Sequence, residues 1–357
     1  MSICKIPLQV VYIVLFILSS SDGICSEVSI AIVGDMMFGS EVAQIMDREG
    51  SLAPFAGTAQ VLSSADITFG VLEGGISTRG EPARDKERVF KSKPSAARGL
   101  SNAGFDLVSL ATPHIMDYGT EAFLDTMEYL SWYGVKYVGA GLDLEEARKP
   151  IVVTAGDIKV AFLAYYRGSQ FDQSTFARAG KPGLAFPALG ELDQDIARVK
   201  AQSDVVIVSM YWGIRGEDGG SEISDRQKLY ARKIIDSGAD LVVGQLLHSL
   251  QGIEVYKGKP VFYSLGDFIY GTYDRKVSTG FIVKLILSRD SSDPANQIHS
   301  RMEIMPVSTS DIKTGSHFPT ILKNQTANDA IATLNKLSEQ FSTRIQVKDG
   351  IGVINLE

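Results

Sequence analysis

Residues 238–271 carry the clearest fold signal in the chain and read GADLVVGQLLHSLQGIEVYKGKPVFYSLGDFIYG. A short apolar run, a loop and two further apolar runs separated by a lysine–glycine turn are typical of strands in a sheet. The loop contains His248, and the last run leads into Gly266 and Asp267. Because ligands and metals collect at the carboxyl ends of strands in α/β sheets, this stretch predicts a functional site around the loop.

The composition is that of an ordinary globular protein. The 357 residues are 45% hydrophobic and 22% charged, with a formal net charge of −7 and a pI of about 5.3. The sequence contains no basic stripe, which argues against nucleic acid as a partner. No pattern in the chain fixes an oligomeric state.

Residues 1–26 predict a signal peptide. Lys5 precedes an apolar run at residues 6–18, and small residues follow. Because this run is shorter than the ~20 residues of a membrane span, cleavage is favoured over the alternative, a retained membrane anchor. We therefore expect an exported protein, whether periplasmic, at the cell surface or secreted. Cys4 and Cys25 both lie in this segment, so the mature chain is expected to hold together without a disulfide.

Two acidic side chains follow apolar runs early in the mature chain. Asp35 follows residues 28–33, and Glu73 follows residues 67–72. Carboxylate oxygens at such strand ends are common divalent-metal ligands. The alternative for Asp35 is a capping role at the helix predicted from about Ser40.

His114 and Asp117 follow a third apolar run, residues 107–110. A histidine in such a loop can bind a metal or donate a proton, and a nearby carboxylate can orient it. A merely packed or capping histidine is the alternative. The polar segment at residues 77–93 predicts a surface loop, whose lysines, Lys86 among them, either offer cations to an anionic ligand or face solvent.

Three further side chains are candidates for binding an anionic substrate. Arg215 follows a predicted strand at residues 205–209, and its guanidinium can pair with a phosphate or carboxylate, unless it forms a surface ion pair. Trp212 either walls a pocket or belongs to the core. Arg167 begins a long irregular stretch and is the third candidate.

The order of apolar runs and helical patterns predicts an α/β main domain over residues 27–288. From residue 289 to residue 357 we expect a small α+β extension that packs on the core. Within it, residues 299–307 predict an edge strand and residues 327–341 an amphipathic helix.

Seven spaced motifs occur in order: GDMMFG, VLEGGIS, ATPHIMDYG, GAGLDLEEA, YWGIRGE, the stretch at residues 238–268, and STRIQVKDGIGVINL. They resemble the CapA family of poly-γ-glutamate capsule biosynthesis proteins, whose domain belongs to the metallophosphoesterase-like (calcineurin-like) superfamily. The resemblance extends from Val28 to the C-terminus. It implies a four-layer αββα sandwich, in which two sheets face each other with helices outside and a metal site on the strand-end loops.

The chain departs from the family pattern at several positions that look like metal ligands. The family residues that survive are Asp35, Glu73, His114, Asp117 and His248. Positions where the family has asparagine or histidine carry Pro113, Tyr211, Gln245 and Leu246. These residue types cannot rebuild a two-metal site, whose ions lie ~3.5–4 Å apart. The resemblance therefore implies a weakened site for one divalent ion (manganese, zinc, magnesium or calcium), with Asp267 as a candidate additional ligand.

Three functions remain open from the sequence. The favoured one is an exported CapA-like protein in the biosynthesis or export of an anionic capsule polymer, with that polymer or its biosynthetic membrane complex as partner. The second is a metal-dependent hydrolase of phosphoester or amide bonds, with an ion on Asp35, Glu73 and His248. In that hydrolase His114 is the general acid and Asp117 assists it.

The third is a non-catalytic module that binds a polymer through Arg167, Trp212 and Arg215.

Overall fold

The computed structural model describes residues 27–84, 86–168, 173–213, 222–245, 248–270, 279–289, 296–309 and 318–356. The predicted signal peptide and Arg215 lie outside these residues. None of the helices in the described ranges has the length and apolar character needed to cross a membrane.

Within these ranges the chain forms twenty strands: β1 (Glu27–Met37), β2 (Ile67–Leu72), β3 (Gly75–Ile76), β4 (Lys91–Ser92), β5 (Leu107–Ser109), β6 (Lys136–Val138), β7 (Ala140–Gly141), β8 (Ile151–Ala155), β9 (Ile158–Gly168), β10 (Gly183–Leu184), β11 (Val205–Gly213), β12 (Leu241–Gln245), β13 (Ile253–Tyr256), β14 (Lys259–Phe262), β15 (Asp267–Tyr270), β16 (Thr279–Arg289), β17 (Ile298–Ser308), β18 (Thr320–Ile321), β19 (Gln346–Lys348) and β20 (Ile351–Leu356). The same ranges contain eight α-helices: α1 (Ser40–Glu49), α2 (Ala59–Ser63), α3 (Ser95–Asn102), α4 (Gly119–Trp132), α5 (Leu144–Ala147), α6 (Leu189–Lys200), α7 (Asp225–Asp236) and α8 (Asn324–Ser338). Short 3₁₀ helices lie at Ala53–Phe55, Gln173–Thr175 and Glu339–Phe341.

Two large sheets form the centre of the fold. The larger has the order β19-β20-β17-β16-β1-β2-β5-β6, with β15 also paired to β1 and β18 to β17. The smaller has the order β13-β14-β12-β11-β9-β8. Each sheet has a parallel part, which includes the pairs β1 with β2 and β9 with β11. In the larger sheet β16 is antiparallel to both β1 and β17.

The two sheets face each other across an apolar core, and helices cover their outer faces. The rings of Phe69 in β2 and Phe162 in β9 stack across this core with centroids 5.4 Å apart. On the outside of the smaller sheet, Ile196 of α6 and Ile234 of α7 join a second apolar cluster with β9 and β11. Every residue of β11 is buried, as expected for a parallel strand that is covered on both faces. The predicted α/β sandwich is therefore confirmed.

Helix α7 shows how local sequence sets an element. Its N-cap Ser224 accepts a hydrogen bond from the backbone N–H of Gln227, and the Gln227 side chain accepts one from the Ser224 N–H. This reciprocal capping satisfies backbone donors that the first turn leaves unpaired. The helix then buries Tyr230 and Ile234 against the sheet.

The prediction of an edge strand at residues 299–307 was wrong. The corresponding strand, β17, lies between β16 and β20 and is antiparallel to both. The last strand, β20, pairs with β17. Because this pairing is long-range, the local alternation of apolar and polar residues in β17 does not indicate it. The C-terminal strands thus continue the larger sheet, while the division of the chain after residue 288 remains a prediction.

Candidate metal centre

Two parallel strands bring Asp35 beside Asp267. Strand β15 pairs with the second half of β1, and Asp35 is the register partner of Asp267. Both carboxylates are buried, with exposed fractions of 0% and 2%. The backbones of the two strands approach each other closely at Gly34 and Gly266. A Cβ atom on Gly34 would lie only 1.9 Å from the carbonyl oxygen of Gly266, so position 34 has no room for a side chain. Glycine therefore permits the contact between the two strands.

The predicted position of Asp35 just beyond a strand end was wrong. Asp35 lies inside β1, which continues to Met37 through a register shift after Asp35. Asp267 is the first residue of β15. The N-cap of α1 is Gly39, so the alternative of a helix-capping Asp35 does not hold.

His248 completes a group of three potential metal ligands. Its Nδ1 lies 2.8 Å from Asp267 Oδ1 and 3.9 Å from Asp35 Oδ2. One ligand atom from each of the three residues lies within 4.8 Å of the other two. His248 holds this position with a left-handed backbone, φ = +53°, which is uncommon for a residue other than glycine.

The donor set of this group fits a divalent cation. Two carboxylates and one imidazole are common ligands for manganese and zinc, and the carboxylates also suit magnesium and calcium. Two carboxylates side by side in a buried site repel each other, and a divalent cation would offset that repulsion. The ring of Tyr270 packs edge-on against His248, with centroids 4.9 Å apart, and so limits its rotation.

Glu73 lies next to this group, between the two site histidines. Its Oε1 is 3.9 Å from His248 Nε2 and 3.7 Å from His114 Nε2. The same oxygen accepts a hydrogen bond of 3.0 Å from the hydroxyl of Tyr211. Burial, followed by the negative charge of Glu73, raises the pKa of Tyr211 well above its ordinary value, so this hydroxyl stays a proton donor.

His114 is oriented by Asp117, and Asp117 is in turn held by Lys86. The Nδ1 of His114 lies 2.6 Å from Asp117 Oδ2, which leaves its Nε2 facing Glu73. Asp117 is fully buried and also accepts hydrogen bonds from Lys86 Nζ (2.6 Å) and from the backbone N–H of Phe90 (2.8 Å). Lys86 thus forms a specific ion pair, which neither sequence interpretation of this lysine anticipated.

This arrangement can move a proton beside the cation site. An imidazole whose Nδ1 is fixed by a carboxylate presents its Nε2 to whatever group binds in front of it. The structure thus brings together Asp35, Glu73, His114, Asp117, His248 and Asp267 at one place. The catalytic role of His114 and Asp117 remains a prediction.

Gln245 is a further residue of this region, and it stands at a position where the family resemblance implies a histidine ligand. Its side chain is 1% exposed, and within the described residues neither its oxygen nor its nitrogen has a hydrogen-bond partner. Its Oε1 is 3.5 Å from the position that a Cβ atom on Gly34 would occupy. In the smaller sheet it is the register partner of Tyr211.

Trp212 and Arg167 lie on the other face of the smaller sheet. Trp212 follows Tyr211 in β11, and successive strand residues point to opposite faces. Its Nε1 donates a hydrogen bond of 3.0 Å to the carbonyl oxygen of Tyr263, and it packs in the apolar cluster under α6 and α7. Arg167 is its register partner in β9, which continues to Gly168, so the prediction that Arg167 begins an irregular stretch was wrong. A substrate-binding role for these two residues and for Arg215 remains a prediction.

The family model described as bacterial capsule synthesis protein PGA_cap matches residues 29–272. The chain belongs to this family. The match confirms the family resemblance that the seven motifs indicated, and it includes every residue of the candidate metal centre.

Two relatives of this PGA_cap family member show how far the similarity extends. The PGA biosynthesis protein CapA of Bacillus subtilis (strain 168) is 27% identical over 325 residues, which cover 90% of this chain and 80% of that protein. The capsule biosynthesis protein CapA of Bacillus anthracis is 28% identical over 251 residues, which cover 68% of this chain and only 60% of that protein. Among solved structures, the calcineurin-like phosphoesterase YfkN from Bacillus subtilis is 16% identical with a TM-score of 0.48, covering 89% of this chain and all of that one.

Two positions at which the sequence departs from the residues that the family resemblance implies lie side by side in the structure. Tyr211 and Gln245 stand where the resemblance implies histidines, and they are register partners in β11 and β12. The hydroxyl of Tyr211 is a donor to Glu73 and not a third acid or imidazole ligand. The Tyr211 replacement therefore falls on the Glu73 side of the centre, whereas Asp35 and His248 are residues that the resemblance retains and Asp267 is an additional carboxylate beside them.

Proposed function

We propose that the protein acts in the biosynthesis of an anionic capsule polymer of the poly-γ-glutamate type. Membership of the PGA_cap family supports this function and an association with a polymer biosynthesis system. We propose further that residues 1–26 export the chain, so that it meets the polymer or its membrane complex outside the cytoplasm.

We also propose that the working protein holds one divalent cation through Asp35, His248 and Asp267. The observation that carries this proposal is the mutual proximity of the three ligand atoms, within 4.8 Å, at a buried junction of two strands. When bound, such an ion supplies positive charge that polarises a carbonyl or phosphoryl oxygen. Manganese, zinc, magnesium and calcium all remain candidates for this ion.

A hydrolase is the second candidate function, and the pair of His114 with Asp117 favours it. In this function His114 gives a proton from Nε2 to the leaving group of a phosphoester or amide. Asp117 keeps the ring in the required orientation through its contact with Nδ1. The Tyr211 hydroxyl donates a hydrogen bond to Glu73, which lies between the two site histidines. Within the described residues the polymer-binding alternative has no comparable geometry at the centre, because Trp212 faces away from it and Arg215 lies outside those residues.

Deletion of the gene in its native host tests the proposed function. We expect loss of anionic polymer from the cell surface, measured by extraction and quantification, and its return when the full chain is expressed again. His299→Ala is a suitable control because His299 is an exposed histidine of β17, and it should restore polymer like the unchanged chain.

Two variants then distinguish the candidate functions in the deletion host. Asp35→Asn should fail to restore polymer if the cation is required. His114→Ala should fail as well if proton transfer is part of the function, and it should restore polymer if the site only binds. Normal polymer in the deletion strain would contradict the proposal.

A further inference from the structure

Gln245 and Gln251 form a contrasting pair in one segment of the chain. Both are buried, each with an exposed fraction of 1%. The Gln251 amide is satisfied at both ends, since it accepts a hydrogen bond from Gln227 Nε2 at 3.0 Å and donates one to the Glu222 carbonyl at 2.8 Å. The Gln245 amide has no hydrogen-bond partner among the described residues. A buried amide in this state costs folding free energy, and a folded protein rarely keeps one without a ligand or a function for it.

Gln245 lies beside the candidate metal centre. Its side-chain oxygen lies 3.5 Å from the Cβ position of Gly34, and that position in turn touches the carbonyl oxygen of Gly266. Gly34 and Gly266 directly precede the two aspartates of the candidate metal centre. Gln245 is also the last residue of β12, and His248 follows in the loop. The amide therefore points to the junction from which three ligands already project.

We propose that Gln245 gives its side-chain oxygen to the cation held by Asp35, His248 and Asp267, as a fourth ligand. This inference rests on the proposed cation site. The centre then has three oxygen ligands and one nitrogen ligand. A histidine at position 245 would instead give two oxygen ligands and two nitrogen ligands. Amide and carboxylate oxygens suit manganese, magnesium and calcium, and imidazole favours zinc. The glutamine thus lowers the affinity for zinc relative to manganese.

The inference predicts opposite effects on stability and on metal binding. Gln245→Leu removes an unsatisfied amide, so the metal-free variant should unfold at the same temperature as the unchanged protein or at a higher one. The same variant should bind Mn²⁺ about tenfold more weakly, because it lacks one ligand. Gln251→Leu is the matched control. It breaks two hydrogen bonds, so it should unfold at a lower temperature and keep the original Mn²⁺ affinity.

The test uses the purified full chain, with thermal unfolding in a chelator and calorimetric titration with Mn²⁺ and Zn²⁺. Gln245→His supplies a third measurement, since its ratio of zinc affinity to manganese affinity should rise about tenfold.

Mn²⁺ affinity within twofold of the original in Gln245→Leu would overturn the inference. So would metal-free destabilisation as large as that of Gln251→Leu. If Gln245→Leu binds normally while Asp35→Asn does not bind, the inference fails and the cation site stands. If the unchanged chain binds none of these ions, both the role of Gln245 and the proposed cation site fail.

Discussion

Lys86 gives a sharp test of how the candidate site is held together. Its Nζ lies 2.6 Å from a carboxylate oxygen of Asp117, whose side chain is 0% exposed, while the Lys86 side chain is 22% exposed. Lys86→Met keeps a long unbranched side chain and removes its charge. The buried carboxylate of Asp117 is then left without its cationic partner. Removal of one partner from a buried ion pair costs about 3–5 kcal/mol. We expect the lower end, about 3 kcal/mol, because Phe90 and His114 still contact Asp117.

Lys93 provides the control for this experiment because it comes from the same polar segment. It pairs with Asp47 at 2.5 Å, but the two side chains are 58% and 46% exposed. A surface pair of this kind contributes about 0–1 kcal/mol, so Lys93→Met should be close to neutral. The assay is the free energy of unfolding from urea denaturation of each variant.

A double variant adds a second check on the same ion pair. Asp117→Asn in the Lys86→Met background removes the unpaired buried charge. The loss of unfolding free energy that Asp117→Asn causes should therefore be smaller in this background than in the original protein. A loss below about 1 kcal/mol in Lys86→Met, or one no larger than that of Lys93→Met, would refute the role of Lys86 in holding Asp117.

Other parts of the chain give further predictions. Arg79 holds the pKa of the Asp125 carboxyl below its ordinary value by hydrogen bonding, so this pair stabilises the fold above about pH 4 and loses that effect as the pH falls through the lowered pKa. Arg79→Met should therefore lower the unfolding temperature more at pH 7 than at pH 3, and an equal loss at both pH values would contradict the sign. Gly34→Ala should destabilise the protein by about 1–3 kcal/mol in urea unfolding, because its Cβ would overlap the Gly266 carbonyl. Gly190→Ala, in α6 with open space around it, should instead stabilise the protein by about 0.5–1 kcal/mol, and a similar outcome for both glycines would contradict the packing at position 34.

Local patterns predicted most of the elements. The apolar run at residues 67–72 coincides with β2, and the amphipathic pattern at residues 327–341 overlaps α8. Such elements depend on neighbours in the chain, and their periodicity is visible in any one stretch. The interior position of β17 was missed because it depends on β20, which comes much later in the sequence.

The candidate site was predictable as a set of residues and not as a geometry. Acids and histidines beside apolar runs pointed to Asp35, Glu73, His114 and His248. The parallel pairing that places Asp35 against Asp267 is a long-range register, and no local pattern encodes it.

The predicted strand at residues 205–209 was too short, because β11 continues to Gly213. Tyr211 and Trp212 are adjacent in one strand, so only one of them can face the site. The structure turns Tyr211 toward Glu73 and packs Trp212 under the helices. The unsatisfied amide of Gln245 could not be foreseen, because hydrogen-bond satisfaction depends on the packed surroundings of a residue.

The central claim is that Asp35, His248 and Asp267 hold one divalent cation. Electron paramagnetic resonance of free Mn²⁺, recorded while the purified full chain is added, measures this binding directly, and competition with Zn²⁺, Mg²⁺ and Ca²⁺ ranks the ions. We predict one Mn²⁺ site per chain in the original protein and in His299→Ala, and its loss in Asp35→Asn and in His248→Ala. Absence of binding by all four ions in the original protein, or unchanged binding in Asp35→Asn, would contradict the account.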